Sequence, residues 1–246
     1  MRAGPTVIAH LSDPHLDARP VTLHRLRQVI AALGELPRLD AVVITGDIAD
    51  GGLASEYQAV MAEIAGLPPT LVTTGNHCLR AAFEAQVGPR NSQLEVSGLR
   101  IVGLDTARDG RDEGLLDDAT LAYARQAIGS APGAVLLALH HPPVDIGHPI
   151  IDATKLSNPE ALAGLLASSP AVIGVLTGHV HTPHVTQFAG VPLIGAPGIV
   201  STLRINEQER LSADGAAPPG FAVHVIDRGR LATRFVALGP QPDSIG

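Results

Sequence analysis

The sequence predicts an α/β protein built on a sheet with many parallel neighbours, and three observations point there. Six short runs rich in Val, Ile and Leu ("TVIAHL", "AVVIT", "TLVTT", "LRIVGL", "AVLLAL" and "AVIGVL") lack polar alternation, as strands covered on both faces do. Segments with helical spacing separate several of them, so strand and helix alternate. Five of the six runs end in polar stretches rich in Gly, Asp and His, the pattern of strands whose carboxyl ends line a shared crevice.

The elements follow in order. After the first strand, Leu23, Leu26, Ile30 and Leu33 share one helical face; Val60, Met61 and Ile64 do so after the second, and Leu121, Ala124 and Ile128 before the fifth. Ser55 with Gln58, and Ser157 with Glu160, fit capping boxes; Pro159 suits a first turn, and Asp118 can cap the helix after it. Beyond about residue 180 the pattern changes to "HVTQFAG", "VPLIGA", "FAVHVID" and "LATRFVAL", which predicts antiparallel strands closing the fold. Residues 206–220 read as a long polar loop.

At 246 residues without a Ser/Gly-rich or charged linker, the chain is expected to form one domain spanning 1–246. It is 45% hydrophobic but only 2% aromatic, with no Trp, so its core must rest on aliphatic side chains. A formal charge of -7 argues against a stable nucleic-acid partner or an anionic membrane surface, both of which need clustered Lys and Arg. The single cysteine excludes an internal disulfide, and the apolar run near the N-terminus is too short for a signal-peptide core, so a cytoplasmic location is expected. Residues 161–178 carry no charge, but "SSP" breaks them, and they read as a helix end, a turn and a buried strand with no membrane span.

The polar strand ends are "SDPH", "TGD", "TGNH", "HHPP" and "TGHVH". Together they supply Asp13, His15, Asp47, Asn76, His140, His179 and His181: carboxylate and amide oxygens and imidazole nitrogens, with no thiolate. That mixture suits Mn, Fe, Zn or Mg and not a Cys-rich structural zinc site. Seven ligands exceed one tetrahedral ion and suit two, with a bridging carboxylate, as in two-metal phosphoryl-transfer sites. Each motif alone is weak, since "GD" is a common turn and an "HxH" pair is as easily a surface pair; it is their joint occurrence that matters. His10, His24, His148, His184 and His224 read as core or surface histidines.

Asp13-x-His15, Gly46-Asp47, Gly75-Asn76-His77, His140-x-Pro142 and Gly178-His179-x-His181 occur in the order and approximate spacing of the calcineurin-like metallophosphoesterases, which this chain resembles over residues 6–181. The doubled "HHPP", with "FAGVPLIGAPGIVSTL" and "PPGFAVHVID", looks most like the bacterial cyclic-nucleotide and glycerophosphodiester phosphodiesterase branch. The resemblance implies a four-layer α/β/β/α sandwich with two mixed sheets. It also implies two divalent metal ions (Mn, Fe or Zn): Asp13, His15 and His181 on the first, Asn76, His140 and His179 on the second, and Asp47 bridging both. His77 would stabilise charge at the phosphate or protonate the leaving oxygen, and substrate would meet Asn76, His77, His141 and His181.

The chain departs from the family at Cys78, where Asp or Glu usually follows the Asn-His pair. The thiol is read chiefly as a small buried residue, with altered pH dependence or substrate range as the functional consequence. The implied substrate is a small phosphodiester, 3',5'-cyclic AMP first; the alternatives are a broad-specificity or glycerophosphodiester phosphodiesterase, or a weakly catalytic metal-binding scaffold. Few aromatics are available to stack on adenine. Further substrate contacts are expected at Ile146, His148 and residues 204–220, with loop packing or a homodimer interface as the other reading of those positions.

Overall fold

The computed structural model describes residues 4–204 and 213–239. The first sheet contains β1 (Thr6–Leu11), β2 (Ala41–Ile44), β3 (Thr70–Val72), β12 (Gly220–Asp227) and β13 (Arg230–Ala237), in the order β13-β12-β1-β2-β3. The second contains β4 (Ser92–Val96), β5 (Leu99–Gly103), β6 (Val135–Ala138), β7 (Val172–Thr177), β8 (His184–Phe188) and β9 (Val191–Gly195), in the order β4-β5-β6-β7-β9-β8. Parallel neighbours run β1-β2-β3 in one sheet and β5-β6-β7-β9 in the other, with antiparallel strands at the edges. A two-residue pair, β10 (Thr202–Leu203) and β11 (Ala213–Asp214), lies apart from both.

Strand alternation explains the layers. Ala9 and Leu11 of β1 and Val42 and Ile44 of β2 face α1 (Pro20–Gly34) and α2 (Ala54–Ile64), packing on Leu26, Val29, Tyr57 and Val60. Their neighbours Ile8, Ala41 and Val43 face the other way and meet Ile101, Leu136, Ala138 and Leu176 of the second sheet. That sheet's opposite face, with Val102, Val135, Leu137 and Val175, packs on α4 (Asp118–Gly129) and α6 (Pro159–Ala167). Helices, sheet, sheet and helices form the expected four-layer arrangement, and the predicted aliphatic runs are buried because both faces of each sheet are covered. Short helices α3 (Arg80–Gln86) and α5 (Pro149–Ala153) complete it.

Several local expectations are corrected. The second helix begins at Ala54, and Glu56 accepts from Leu53 N and Gly51 N at 3.0 and 2.9 Å, so the Ser55–Gln58 box does not form. Pro159 does open α6, but Asn158 precedes it while Ser157 Oγ donates to Gly114 O at 2.6 Å. Asp117, not Asp118, caps α4, accepting from Thr120 N at 2.8 Å. In the C-terminal third, β9 pairs parallel with β7, although β8, β12 and β13 are antiparallel to their partners as expected. Of the predicted 206–220 loop, 206–212 lie outside the described residues and Ala213–Asp214 form β11. Among the described residues, no helix is long and apolar enough to cross a membrane.

Candidate metal centre

The carboxyl ends of β1, β2, β3, β6 and β7 meet at one edge of the sandwich, and backbone hydrogen bonds tie their turns together. Asp13 N donates to Gly46 O at 3.3 Å, His15 N to Asp47 O at 2.9 Å and Gly178 N to His140 O at 3.0 Å. Asp13, His15, Asp47, His179 and His181 all hold positive φ, from 41° to 69°. Left-handed backbone costs a non-glycine residue about 1–3 kcal/mol and marks sites where the surroundings over-determine it. Among the other described non-glycine residues only Ser97, Ala189 and Arg228 share it, each before a Gly in a two-residue hairpin turn where that conformation is ordinary. The motif glycines have a steric reason: a Cβ on Gly75 would lie 2.2 Å from Asp47 Oδ1, and one on Gly178 would lie 2.1 Å from Ser12 Oγ.

The seven predicted residues form two clusters that share Asp47. In the first, His15 Nε2 lies 3.2 Å from His181 Nε2, 3.8 Å from Asp13 Oδ1 and 3.6 Å from Asp47 Oδ2, while His181 Nε2 lies 3.4 Å from Asp13 Oδ1. In the second, His140 Nε2 is 2.9 Å from Asn76 Oδ1 and 3.2 Å from Asp47 Oδ2, and His179 Nδ1 is 3.0 Å from the same amide oxygen. Each imidazole is fixed at its far nitrogen: His15 Nδ1 to Asp50 Oδ1 at 3.0 Å, His140 Nδ1 to Thr45 O at 2.7 Å, His179 Nε2 to Thr154 Oγ1 at 2.9 Å and His181 Nδ1 to Ser201 Oγ at 2.9 Å. Carbonyl and carboxylate oxygens only accept, so His15 and His140 carry their protons on Nδ1 and turn Nε2 lone pairs inward when neutral.

The donor chemistry fits two divalent cations. Imidazole lone pairs, carboxylates and an amide oxygen face one another at close range, and buried Asp13 Oδ1 has no hydrogen-bond partner among the described residues. Asp13, His15, His181 and Asp47 could hold one ion, and Asn76, His140, His179 and Asp47 the other. The fields in the site demand positive charge. Burial opposes protonation of His15, yet the adjacent carboxylate of Asp13, the hydrogen bond to Asp50 and the charge of Asp47 outweigh it and lift its pKa to about 10. Burial likewise opposes charge on His140, but the charge and hydrogen bond of Asp47 lift it to about 9. His179, depressed by burial and then by His140, falls to about 3 and stays a neutral donor.

A cavity of about 250 Å³ opens over the clusters. His15, Asp47, Asn76, His77, His179 and His181 line one side, and Ile150, Ile151, Val180 and Leu203 form an apolar wall, with Asp112 and Thr154 between. His77 is half-exposed; its N–H donates to Asp47 Oδ1 at 2.9 Å and its Nδ1 to Asp50 O at 2.8 Å, so its Nε2 is the free ring nitrogen. His141 lies behind the cavity, fully buried, with Nδ1 2.8 Å from Thr106 Oγ1 and Nε2 3.1 Å from Asp112 O. Buried His148 caps α5, and Ile146 packs behind the wall with Ile151, Val180 and Leu203.

Cys78 is 3% exposed in the core beside Tyr57 and Phe83, and burial followed by the charge of Asp47 pushes its thiol up to about 12, which makes it inert. Asp50, which anchors both His15 and His77, escaped the sequence reading, as did Thr154 and Ser201. Asp50 lies three residues after Asp47 in "GDIAD", and that proximity was its only signal.

The profile of the calcineurin-like phosphoesterase family matches residues 6–183, and the chain belongs to that family. It is 32% identical over 244 residues to the 3',5'-cyclic adenosine monophosphate phosphodiesterase CpdA of Pseudomonas aeruginosa, covering 92% of this chain and 88% of that one. It is 27% identical over 241 residues to the glycerophosphodiester phosphodiesterase GpdQ of Enterobacter lignolyticus, covering 89% and 86%. A dimetal phosphatase from Danio rerio shares the fold, with a TM-score of 0.73 at 15% identity over 96% of this chain and 97% of that one.

Proposed function

We propose that the protein is a dimetal phosphodiesterase acting on a small diester, with 3',5'-cyclic AMP as the favoured substrate. The observation that supports this most is the pair of His/Asp/Asn clusters sharing Asp47 at the floor of the cavity. When bound, the two ions supply Lewis acidity, making a water more acidic and neutralising charge on the phosphate. Asp13, His15 and His181 are proposed to hold one, Asn76, His140 and His179 the other, and Asp47 both. Asp47 also fixes the segment that bears His77 by accepting its backbone N–H. The carbonyl of Asp50 keeps a proton on His77 Nδ1, so Nε2 is the nitrogen that turns to the leaving oxygen, and it delivers a proton there from the doubly protonated ring, which returns to the neutral Nδ1–H form. Asn76, His77 and His181 are proposed to meet the phosphate, and the wall of Ile150, Ile151 and Leu203 to pack on the remainder of the substrate while excluding water.

A glycerophosphodiester is the second reading, favoured by the lining itself: among the described residues the apolar wall is aliphatic and carries no aromatic ring to stack on a base. The test is hydrolysis of 3',5'-cyclic AMP, 2',3'-cyclic AMP, glycerophosphocholine and bis-nitrophenyl phosphate by Mn-loaded protein beside Asp47→Ala. Preference for cyclic AMP, lost in Asp47→Ala, supports the first reading; preference for glycerophosphocholine supports the second. Full activity in Asp47→Ala would overturn the assigned site.

A further inference from the structure

Two histidines stand inside the aliphatic layer between the sheets, and neither belongs to the metal clusters. His10 of β1 lies on the same face as Ile8, and His224 of β12 on the same face as Ile226; both rings are fully buried. Polar rings there are costly unless they are hydrogen-bonded, and both are bonded at both nitrogens. His224 Nδ1 lies 2.8 Å from Thr233 Oγ1 and His224 Nε2 3.2 Å from His10 Nδ1. His10 Nε2 lies 2.9 Å from Thr45 Oγ1, Thr45 Oγ1 lies 2.8 Å from Ser12 Oγ, and Ser12 Oγ lies 2.5 Å from Asp13 Oδ2.

The carboxylate end sets the direction of this chain. Ionised Asp13 only accepts, so Ser12 gives it its one hydroxyl proton. Backbone acceptors lie farther off, Leu11 O 3.4 Å from Thr45 Oγ1 and Thr45 O 3.2 Å from Ser12 Oγ, so the 2.8 Å contact between Ser12 and Thr45 takes the proton of Thr45, and Thr45 accepts from His10 Nε2–H. His10 Nδ1 is left as an acceptor for His224 Nε2–H, and His224 Nδ1 as an acceptor for the hydroxyl of Thr233, half-buried on β13. Every donor points toward Asp13. The opposite tautomer of His10 would leave Thr45 and Ser12 facing each other with no shared proton. Burial keeps both imidazoles uncharged: it depresses His224 to about 3 and, with help from His224, takes His10 well below its ordinary value.

We propose that His10, Thr45 and Ser12 are positioning residues for metal binding: they hold Asp13 by Oδ2 so that Oδ1, which has no hydrogen-bond partner among the described residues and faces His15 and His181, is presented to the first ion. His179 N, 3.1 Å from the same Oδ2, completes the grip. Successive hydrogen bonds of one polarity strengthen each other, so the two core imidazoles act on the site through the two hydroxyls. The inference rests on the reading that Asp13 is a metal ligand.

Two measurements test it. Nitrogen-15 histidine spectra of the wild-type protein should show His10 and His224 neutral and protonated at Nε2 between pH 6 and 8; a proton on His10 Nδ1 would overturn the relay. Calorimetric Mn binding should weaken about 10- to 100-fold in Thr45→Val, the range for partners that orient a ligand, and recover in Thr45→Ser, which restores the hydroxyl. Wild-type affinity in Thr45→Val would sink the relay and leave the dimetal reading standing, whereas absence of Mn binding by the wild-type protein would sink both. If Thr45→Val does not fold, Ser12→Ala, which removes the direct donor to Asp13, must show the same loss.

Discussion

Restoring a carboxylate after the Asn-His pair, by Cys78→Asp, should destabilise the protein and bring no gain in activity. The site is 3% exposed and packed among Tyr57, Phe83 and other members of the α1/α2 core, and it faces the field of Asp47. The thiol reflects that environment: pushed from an ordinary 9.0 up to about 12, its anion is disfavoured by about 4 kcal/mol at 1.36 kcal/mol per pKa step. A carboxylate in the same place suffers a penalty of the same order, about 4 kcal/mol at pH 7. Its folded pKa lies above its unfolded one. The protein should therefore be near wild-type stability below about pH 4 with respect to this group, and lose stability as pH rises through the folded value toward neutrality. Urea unfolding of the wild-type, Cys78→Ser and Cys78→Asp proteins at pH 5 and 7 checks it. A Cys78→Asp midpoint equal to that of Cys78→Ser at pH 7, or faster turnover, would refute the reasoning and imply that the side chain turns out toward His77.

Four further outcomes are expected. His140→Ala should cut turnover more than about 100-fold, exceeding what loss of a merely orienting partner costs, while circular dichroism stays native; retained activity with metal supplied would remove His140 from the site. Asp50→Ala frees His15 Nδ1 and should weaken Mn binding about 10- to 100-fold, read by calorimetry. Gly178→Ala drives a methyl against Ser12 Oγ and Thr45 O and should cost about 1–3 kcal/mol, seen as a lower Tm; an unchanged Tm would show that the turn has room. His224, held near 3 against an ordinary 6.5, binds its proton only in the unfolded chain between those values. Stability should fall by about 1.4 kcal/mol per pH step from this group as pH drops from about 6.5 toward 3, and a flat urea midpoint between pH 7 and 5 would contradict it.

What the sequence disclosed, and what it hid, divides along a physical line. Strand ends were legible because a parallel strand buried on both faces is a continuous apolar run, and "SDPH", "TGD", "TGNH", "HHPP" and "TGHVH" interrupt such runs with residues a core would reject. The partition into two sheets was not legible in those runs: "AVVIT" (β2) and "AVLLAL" (β6) are equally aliphatic, and only pairing sets the first beside β1 in one sheet and the second beside β7 in the other. The expected caps lie one or two residues away from the observed ones, and at α6 the reason is visible: Ser157 and Asn158 are spent on Gly114 and Leu116, contacts made across the fold. Asp50, Thr154 and Ser201 are hard to read for the same reason, since an isolated polar residue has no spacing to announce the histidine it orients, and Thr45 holds His140 through a backbone carbonyl that no residue type announces. Positive φ at five of the ligand positions adds a further layer, because Asp and His are ordinary residues and nothing in their identity declares a strained backbone. His10 and His224 follow the same logic. As letters they are core histidines, and they acquire a direction only when the pairing of β1 with β12, and the turn after β2, bring them into line with Asp13.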